Sequence, residues 1–97
     1  MRYEIEFSED SVSDLDTLRA YERAAVLDLI ERHLRHQPAK ESKSRIKLLR
    51  GMARPQYRLR VQDIRVFYDV RGDVVEIIAI VAKSGASEWL EEEGIKK

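Results

Sequence analysis

Three features of the sequence predict an α+β fold in which a strand and a helical hairpin precede an antiparallel β-meander. Residues 2–7 alternate charged and apolar side chains, as a half-buried strand does. Two stretches with helical spacing of apolar residues follow, before Pro38. Alternation returns from Tyr57 onward, interrupted by turn signals. The chain closes on SGASEWLEEEG, a loose turn or short helix able to lay Trp89 and Leu90 on the core.

The helical part is predicted to contain two helices separated by a break near Arg19 and Ala20. Ser8 is a suitable N-cap for the first, whose apolar positions are Val12, Leu15 and Leu18. The second should run from about Tyr21 to His36, because Pro38 cannot continue it. Its apolar face is drawn from Ala24, Leu27, Ile30 and Leu34.

The stretch YRLRVQDIRVFYD, residues 57–69, predicts a β-hairpin that turns at Gln62 and Asp63. Any loop of even length centred there gives one consistent register: Tyr57 opposite Tyr68, Arg58 opposite Phe67, Leu59 opposite Val66, and Arg60 opposite Arg65. The turn lacks the glycine or asparagine that tight hairpins favour, and a three-residue loop would break this pairing. With an even loop, one face is apolar and the other carries arginines.

Arg58, Arg60 and Arg65 therefore share one face of the predicted hairpin. Like charges directly opposed on a sheet are unfavourable by roughly 0.2–1 kcal/mol per pair. An anion lying across the three side chains explains the cluster. The alternative is a polar outer face whose arginines reach carboxylates elsewhere in the fold.

Two further segments flank the hairpin. Residues 40–54 are predicted to be a basic connection. It contains three apolar residues, Ile46, Leu48 and Leu49, and Gly51 and Pro55 are turn signals at its end. After a turn at Gly72, the run VVEIIAIV, residues 74–81, is apolar on both faces except at Glu76. This pattern is typical of a central strand covered on both sides.

Composition narrows the class of protein. The 97 residues are expected to form one domain, residues 1–97, with a heavily charged surface. The absence of cysteine excludes disulfides and thiolate chemistry, and with no apolar run long enough to span a membrane we expect a cytoplasmic protein. His33 and His36 have the spacing of a helical metal pair but no third ligand, so neither a metal nor a cofactor is expected.

The formal charge of zero conceals a strong segregation. Residues 40–71 contain ten basic and three acidic side chains, a net charge of +7, and the rest of the chain carries −7. Such a basic block indicates a polyanion or an acidic partner.

The order of elements and the motif L-R-G-x(5)-Y-R-L-R-V-x-D-I-R-V-x-Y-D-V, residues 49–70, resemble the RelE/ParE toxin superfamily of toxin–antitoxin systems. The resemblance covers nearly the whole chain and implies a RelE-like fold. It also implies a cognate antitoxin, RelB-like, as a partner. One branch of the superfamily cleaves messenger RNA on the ribosome, whereas the other poisons gyrase.

In the ribonuclease branch, basic positions on the two hairpin strands contact the scissile phosphate. The resemblance places these at Arg58, Arg60 and Arg65, and it matches Lys83 to a basic position at the end of the last strand. Arginine stays protonated, so it can stabilise charge but cannot act as a base. Lys83 could act as the base if neighbouring positive charge lowered its pKa. Further contacts to RNA are expected from Lys47, Arg50, Arg54 and Phe67, although Phe67 could equally pack against a helix or the tail.

Two departures from the ribonuclease pattern bear on activity. Ser84 stands where that pattern has an arginine, and Leu90 stands where it has a late tyrosine. The leading interpretation is a RelE-type endoribonuclease that acts on ribosome-bound messenger RNA. The alternatives are a non-catalytic inhibitor of the gyrase-poisoning type, and a degenerate toxin-like domain that mainly binds an antitoxin.

Overall fold

The computed structural model describes residues 1–97 and contains seven strands and three α-helices. The strands are β1 (Glu4–Phe7), β2 (Ile46–Leu48), β3 (Met52–Arg54), β4 (Tyr57–Val61), β5 (Ile64–Arg71), β6 (Val74–Ala82) and β7 (Ile95–Lys96). The helices are α1 (Glu9–Thr17), α2 (Ala20–Leu29) and α3 (Ala86–Glu93), with a π-helical turn at Ile30–Leu34 and a 3₁₀ turn at Lys83–Gly85. The α+β class and the predicted element order are confirmed.

Five strands form a mixed sheet in the order β1-β6-β5-β4-β2. Only β1 and β6 run parallel, and the remaining pairs are antiparallel. Strand β1 ends at Phe7, so the backbone groups of β6 after Ile77 have no strand partner on that edge. Side chains of Ser8 and helix α1 bond to them instead: the Ser8 hydroxyl donates to the Ile78 carbonyl at 2.8 Å, and the Ile80 N–H donates to Asp14 Oδ2 at 2.9 Å. Ser8 also caps α1 as predicted, since its Oγ accepts from the Ser11 N–H.

The hydrophobic core lies between the helical hairpin and one face of this sheet. The fully buried side chains are contributed by α2, the π-helical turn and the central strands, and include Val26, Ile30, Leu34, Leu59, Val66, Tyr68, Val75 and Ile77. Tyr68 is buried as predicted, and its hydroxyl donates to the Pro38 carbonyl at 2.6 Å. Burial, with a smaller contribution from Tyr57, raises the pKa of this phenol.

The second helix differs from the prediction in its end and in its buried face. The α-helix ends at Leu29, and the π-helical turn continues it to Leu34. Ile30 and Leu34 are buried as predicted, but Val26 completes the stripe, while Ala24 and Leu27 are exposed. Val26, Ile30 and Leu34 are spaced four residues apart, so the stripe follows the i, i+4 row.

The basic connection of residues 40–54 is more regular than predicted, because it contains two short strands. β2 pairs with β4 at the edge of the main sheet, and β3 pairs with β7 in a separate two-stranded sheet. Gly94 makes the second pairing possible, because a side chain there would collide with the Met52 side chain and the Leu90 carbonyl. None of the helices combines the length and apolar composition that crossing a membrane requires.

Candidate nucleic-acid interface

The β4–β5 hairpin has the predicted register. Tyr57 pairs with Tyr68, Arg58 with Phe67, Leu59 with Val66, Arg60 with Arg65, and Val61 with Ile64. Two residues form the turn, and Gln62 adopts a left-handed φ of 54° where a glycine would be expected. The loop length is therefore even, and the arginines remain on one face.

That face carries three guanidinium groups at the turn end of the hairpin. Arg60 is exposed, Arg58 is half-buried, and Arg65 is only 7% exposed. None of the three forms an ion pair with a carboxylate. The Nε of Arg58 is buried and has no hydrogen-bond partner. The cluster is thus left without neutralisation by the protein itself.

The three arginines are close enough to repel one another. Burial and the charges of Arg65 and Arg60 lower the pKa of Arg58. Burial and the charge of Arg60 likewise lower the pKa of Arg65, and Asp63 opposes this only in part. An oxyanion bound among the three would relieve this repulsion and supply the missing acceptor for Arg58.

Arg65 is held by backbone carbonyls at the turn. Its Nη1 donates to the carbonyl oxygens of Gln62 at 2.9 Å and Ile64 at 3.1 Å. These bonds fix the guanidinium beside Arg60 without neutralising its charge. Such a fixed cation can bind a phosphate with little rearrangement.

The opposite end of the same face is neutralised. Arg54 donates to Asp69 at 3.3 Å and to Glu76 at 3.0 Å, and Arg71 reaches Glu76 at 3.3 Å. Asp69 also accepts the Gln56 N–H at 2.7 Å. The charge of Arg54 is shared with the carboxylates of Asp69 and Glu76, and its contribution to RNA binding stays a prediction.

Phe67 lies between these two ends and is covered by the carboxy-terminal helix. Its ring stacks on Trp89 with centroids 4.9 Å apart and planes 6° from parallel. Only 1% of Phe67 is exposed. Of the two roles that the sequence left open, packing against the tail is the one observed, and no face of the ring is free for a nucleobase.

Lys47 and Arg50 lie on the arginine side of the sheet. Lys47 pairs directly with Arg58 across β2 and β4, so the two side chains share a face. Together with Leu90 and Lys96, Lys47 and Arg50 line a cleft of about 480 Å³ between the sheet and α3. The basic face thus extends from the hairpin into this cleft.

The remaining predicted site residue, Lys83, begins the 3₁₀ turn after β6. Its backbone N–H donates to the Asp63 carbonyl at 2.7 Å, so Lys83 lies beside the hairpin turn and its side chain is exposed. Ser84 is exposed next to it. His33 and His36 are not part of this face, and they are not joined by a third side chain in any arrangement that could hold a metal.

Arg45 was not singled out from the sequence, yet it lies against this site. Its Nη1 donates to the Arg60 carbonyl at 3.0 Å, and its own carbonyl accepts the Arg60 N–H at 2.8 Å. The register of β2 against β4 creates this contact. Because β2 has only three residues, no alternation in the sequence indicated the strand.

Comparison with protein families gives one match. Residues 5–85 match the family described as ParE toxin of type II toxin-antitoxin system, parDE. Among curated proteins, no sequence is similar enough to count as a relative.

Several solved structures share the fold. A double arginine-to-alanine mutant of the E. coli toxin RelE in the free state is 26% identical with a TM-score of 0.71, covering 95% of this chain and 94% of that one. The archaeal RelE–RelB complex from Pyrococcus horikoshii OT3 matches with 24% identity and a TM-score of 0.70, over 86% of this chain and 97% of that one. The RelBE2 toxin–antitoxin complex from Mycobacterium tuberculosis matches with 22% identity and a TM-score of 0.69. The match covers 84% of this chain and 99% of that one.

Proposed function

Since this chain belongs to the RelE/ParE family and is a toxin of a type II toxin–antitoxin system, we propose that it is a ribosome-dependent endoribonuclease that cuts messenger RNA. The observation that carries the proposal is the group of three guanidinium groups at the turn end of the β4–β5 hairpin. They lack carboxylate partners, and one buried Nε has no acceptor. A phosphodiester placed there would receive charge-assisted hydrogen bonds.

Cleavage by the 2′-hydroxyl of RNA requires a base, stabilisation of the phosphorane and an acid. Arg58, Arg60 and Arg65 supply the stabilisation. Lys83 is the candidate for proton transfer, because its backbone bond to Asp63 holds it at the same end of the hairpin. Leu90 lines the cleft beside Lys47 and Arg50, and its side chain has no proton to donate. The ribosome would supply the positioning of the messenger, and with it part of the catalysis.

The partner that restrains this toxin is proposed to be a RelB-like antitoxin. The P. horikoshii, Methanococcus jannaschii and M. tuberculosis neighbours are complexes of a toxin with its antitoxin. The net charge of +7 over residues 40–71 suits an acidic segment that folds as it binds.

A second candidate function is inhibition of gyrase without catalysis. The matching family model describes ParE toxins, and Ser84 and Leu90 replace the arginine and tyrosine of the ribonuclease pattern. The likeness to the E. coli toxin RelE, over nearly the full length of both chains, favours the ribonuclease.

The proposal is tested by removing the arginines singly. Arg65→Ala and Arg60→Ala should each relieve growth arrest on induction, because loss of one preorganised donor lowers a rate by roughly 10²–10³. Arg71→Ala is the matched control, since Arg71 lies on the same strand but pairs with Glu76. Circular dichroism would check that each variant is folded.

The target is identified by two assays on the unmodified toxin. We expect primer extension to map new 5′ ends on translated messages in a translation extract, and none on the same RNA when translation is blocked. Loss of DNA supercoiling by purified gyrase, with intact messages, would favour the second candidate. Arrest that persists in the Arg60→Ala, Arg65→Ala double variant would overturn the site.

A further inference from the structure

A second basic cavity lies between the end of the helical hairpin and the loop that leads into β2. Its volume is about 380 Å³, and Ile46 is its only apolar lining residue. The cationic and hydroxyl side chains that converge on it include Arg32, His33, His36, Lys40, Ser42 and Arg45. Of these residues, Arg45 alone also contacts the arginine face of the hairpin, through the Arg60 backbone.

The polar groups of the loop are arranged to leave donors available. Glu41 is the only carboxylate in the lining, and its Oε1 already accepts the Leu48 N–H at 3.0 Å. The Ser42 Oγ accepts the N–H groups of Arg45 at 3.1 Å and Ile46 at 3.2 Å. These bonds shape the loop, and the Ser42 hydroxyl proton remains free to be donated.

The cavity is lined by more cationic side chains than carboxylates. Burial, followed by the charges of Arg45 and Arg32, lowers the pKa of His33, and Asp28 opposes this only weakly. Lys40 adds a further cation to the lining. Arg32 already donates to Asp28 at 2.8 Å, so a bound anion would gain from Arg45, Lys40 and protonated His33, and would relieve the repulsion among them.

The cavity is also continuous with the arginine face. Arg45 lines it and donates to the Arg60 carbonyl at 3.0 Å, while the Arg60 N–H donates back to Arg45. The basic surface therefore passes around the β2 edge of the sheet, from Arg60 to the histidines. An RNA strand bound at the arginine face could therefore reach the cavity along a continuous basic surface.

We propose that this cavity is a second phosphate-binding site, which holds a phosphate of an RNA backbone or of a free nucleotide. Its volume is in the range of ligand pockets, roughly 300–1,000 Å³. Arginine, imidazolium and hydroxyl donors are the groups that bind phosphate oxygens. That the phosphate belongs to RNA rests on the proposed function, whereas the binding of phosphate itself does not.

The site is tested by titrating the full chain with inorganic phosphate, adenosine 5′-monophosphate and a short 2′-O-methyl RNA that lacks the attacking hydroxyl. The readout is the NMR signals of the His33 and His36 rings. We expect saturable shifts and a raised pKa for His33, because a bound anion favours imidazolium. Affinity should therefore rise as the pH falls through that pKa.

Three variants define the contacts. Arg45→Gln should weaken phosphate binding by about tenfold or more, the usual loss for one hydrogen bond to a charged group. Lys40→Gln should weaken it by roughly two- to fivefold, and its exposed position makes misfolding no concern. Lys43→Gln is the control, because Lys43 lies in the same loop but outside the lining, and it removes the same charge.

Each outcome decides the proposal. Shifts with the RNA that compete with phosphate assign the RNA backbone, and shifts with phosphate and the nucleotide alone assign a free nucleotide. Histidine signals that do not respond to any probe, or an affinity that is equal in all three variants, would overturn the site. Neither result depends on the toxicity of the Arg65→Ala variant, so failure here and failure of the nuclease proposal are distinguishable.

Discussion

At the Gln56 end of the β4–β5 hairpin, arginines meet carboxylates, whereas at its turn end they meet one another. Arg54 and Arg71 share Glu76, and Asp69 accepts from Arg54 and from the Gln56 N–H. Arg60 instead faces Arg65, and Arg58 has a buried Nε without an acceptor. The two ends contain the same residue type on the same sheet face. On this face, the arginines without carboxylate partners are the ones that form the candidate site.

Reversing one charge at the turn end should have the largest effect on toxicity. Arg60→Glu would place a carboxylate opposite Arg65, so the turn end would contain an ion pair as the Gln56 end does. We expect toxicity to fall by about 10²-fold or more. The free energy of unfolding should rise by about 1 kcal/mol, because a repulsive cross-strand pair becomes an attractive one. Growth assays and urea unfolding measure the two quantities.

Arg71→Glu is the reciprocal control at the neutralised end. It brings a carboxylate beside Glu76, so we expect a small loss of stability and unchanged toxicity per folded molecule. If Arg60→Glu destabilised the protein, or left growth arrest intact, the contrast between the two ends would have no functional meaning.

Removing the central carboxylate of the neutralised end should have the next largest effect. Asp69→Ala leaves the Gln56 N–H and one bond of Arg54 without an acceptor. Because Asp69 is only 6% exposed, we expect the free energy of unfolding to fall by about 1–3 kcal/mol. Urea denaturation measures it. Asp73→Ala, at an exposed turn, should change it by no more than about 0.5 kcal/mol. Equal losses in both variants would contradict a structural role for Asp69.

The tail that separates the two ends gives the smallest predicted effect. Trp89→Ala removes the ring stacked on Phe67, and we expect a loss of about 1–2 kcal/mol, since Trp89 is only half-buried. Trp89→Phe should recover most of it by keeping a stacked ring. Unfolding curves and the NMR shifts of the Phe67 ring would report both changes. A phenylalanine variant as unstable as the alanine variant would argue against stacking.

The hairpin was predictable because its information is local. Alternation over residues 57–69 and a loop of two residues suffice to oppose Arg60 and Arg65. The strands β2, β3 and β7 were not predicted, since each has only two or three residues and β3 pairs with a strand about forty residues away. Short segments carry too little periodicity to be recognised.

Side-chain parity follows from a strand's own alternation, so the amino-acid sequence was enough to predict the α+β class and, for a loop of even length, the register of the hairpin and the face on which its arginines lie. The arginines that remain without a carboxylate partner are known only from the folded chain. Arg54 and Arg58 both belong to the basic block of residues 40–71, but folding brings Asp69 and Glu76 to Arg54 and other cations to Arg58. Neutralisation depends on residues distant in the chain, and no local pattern encodes their approach.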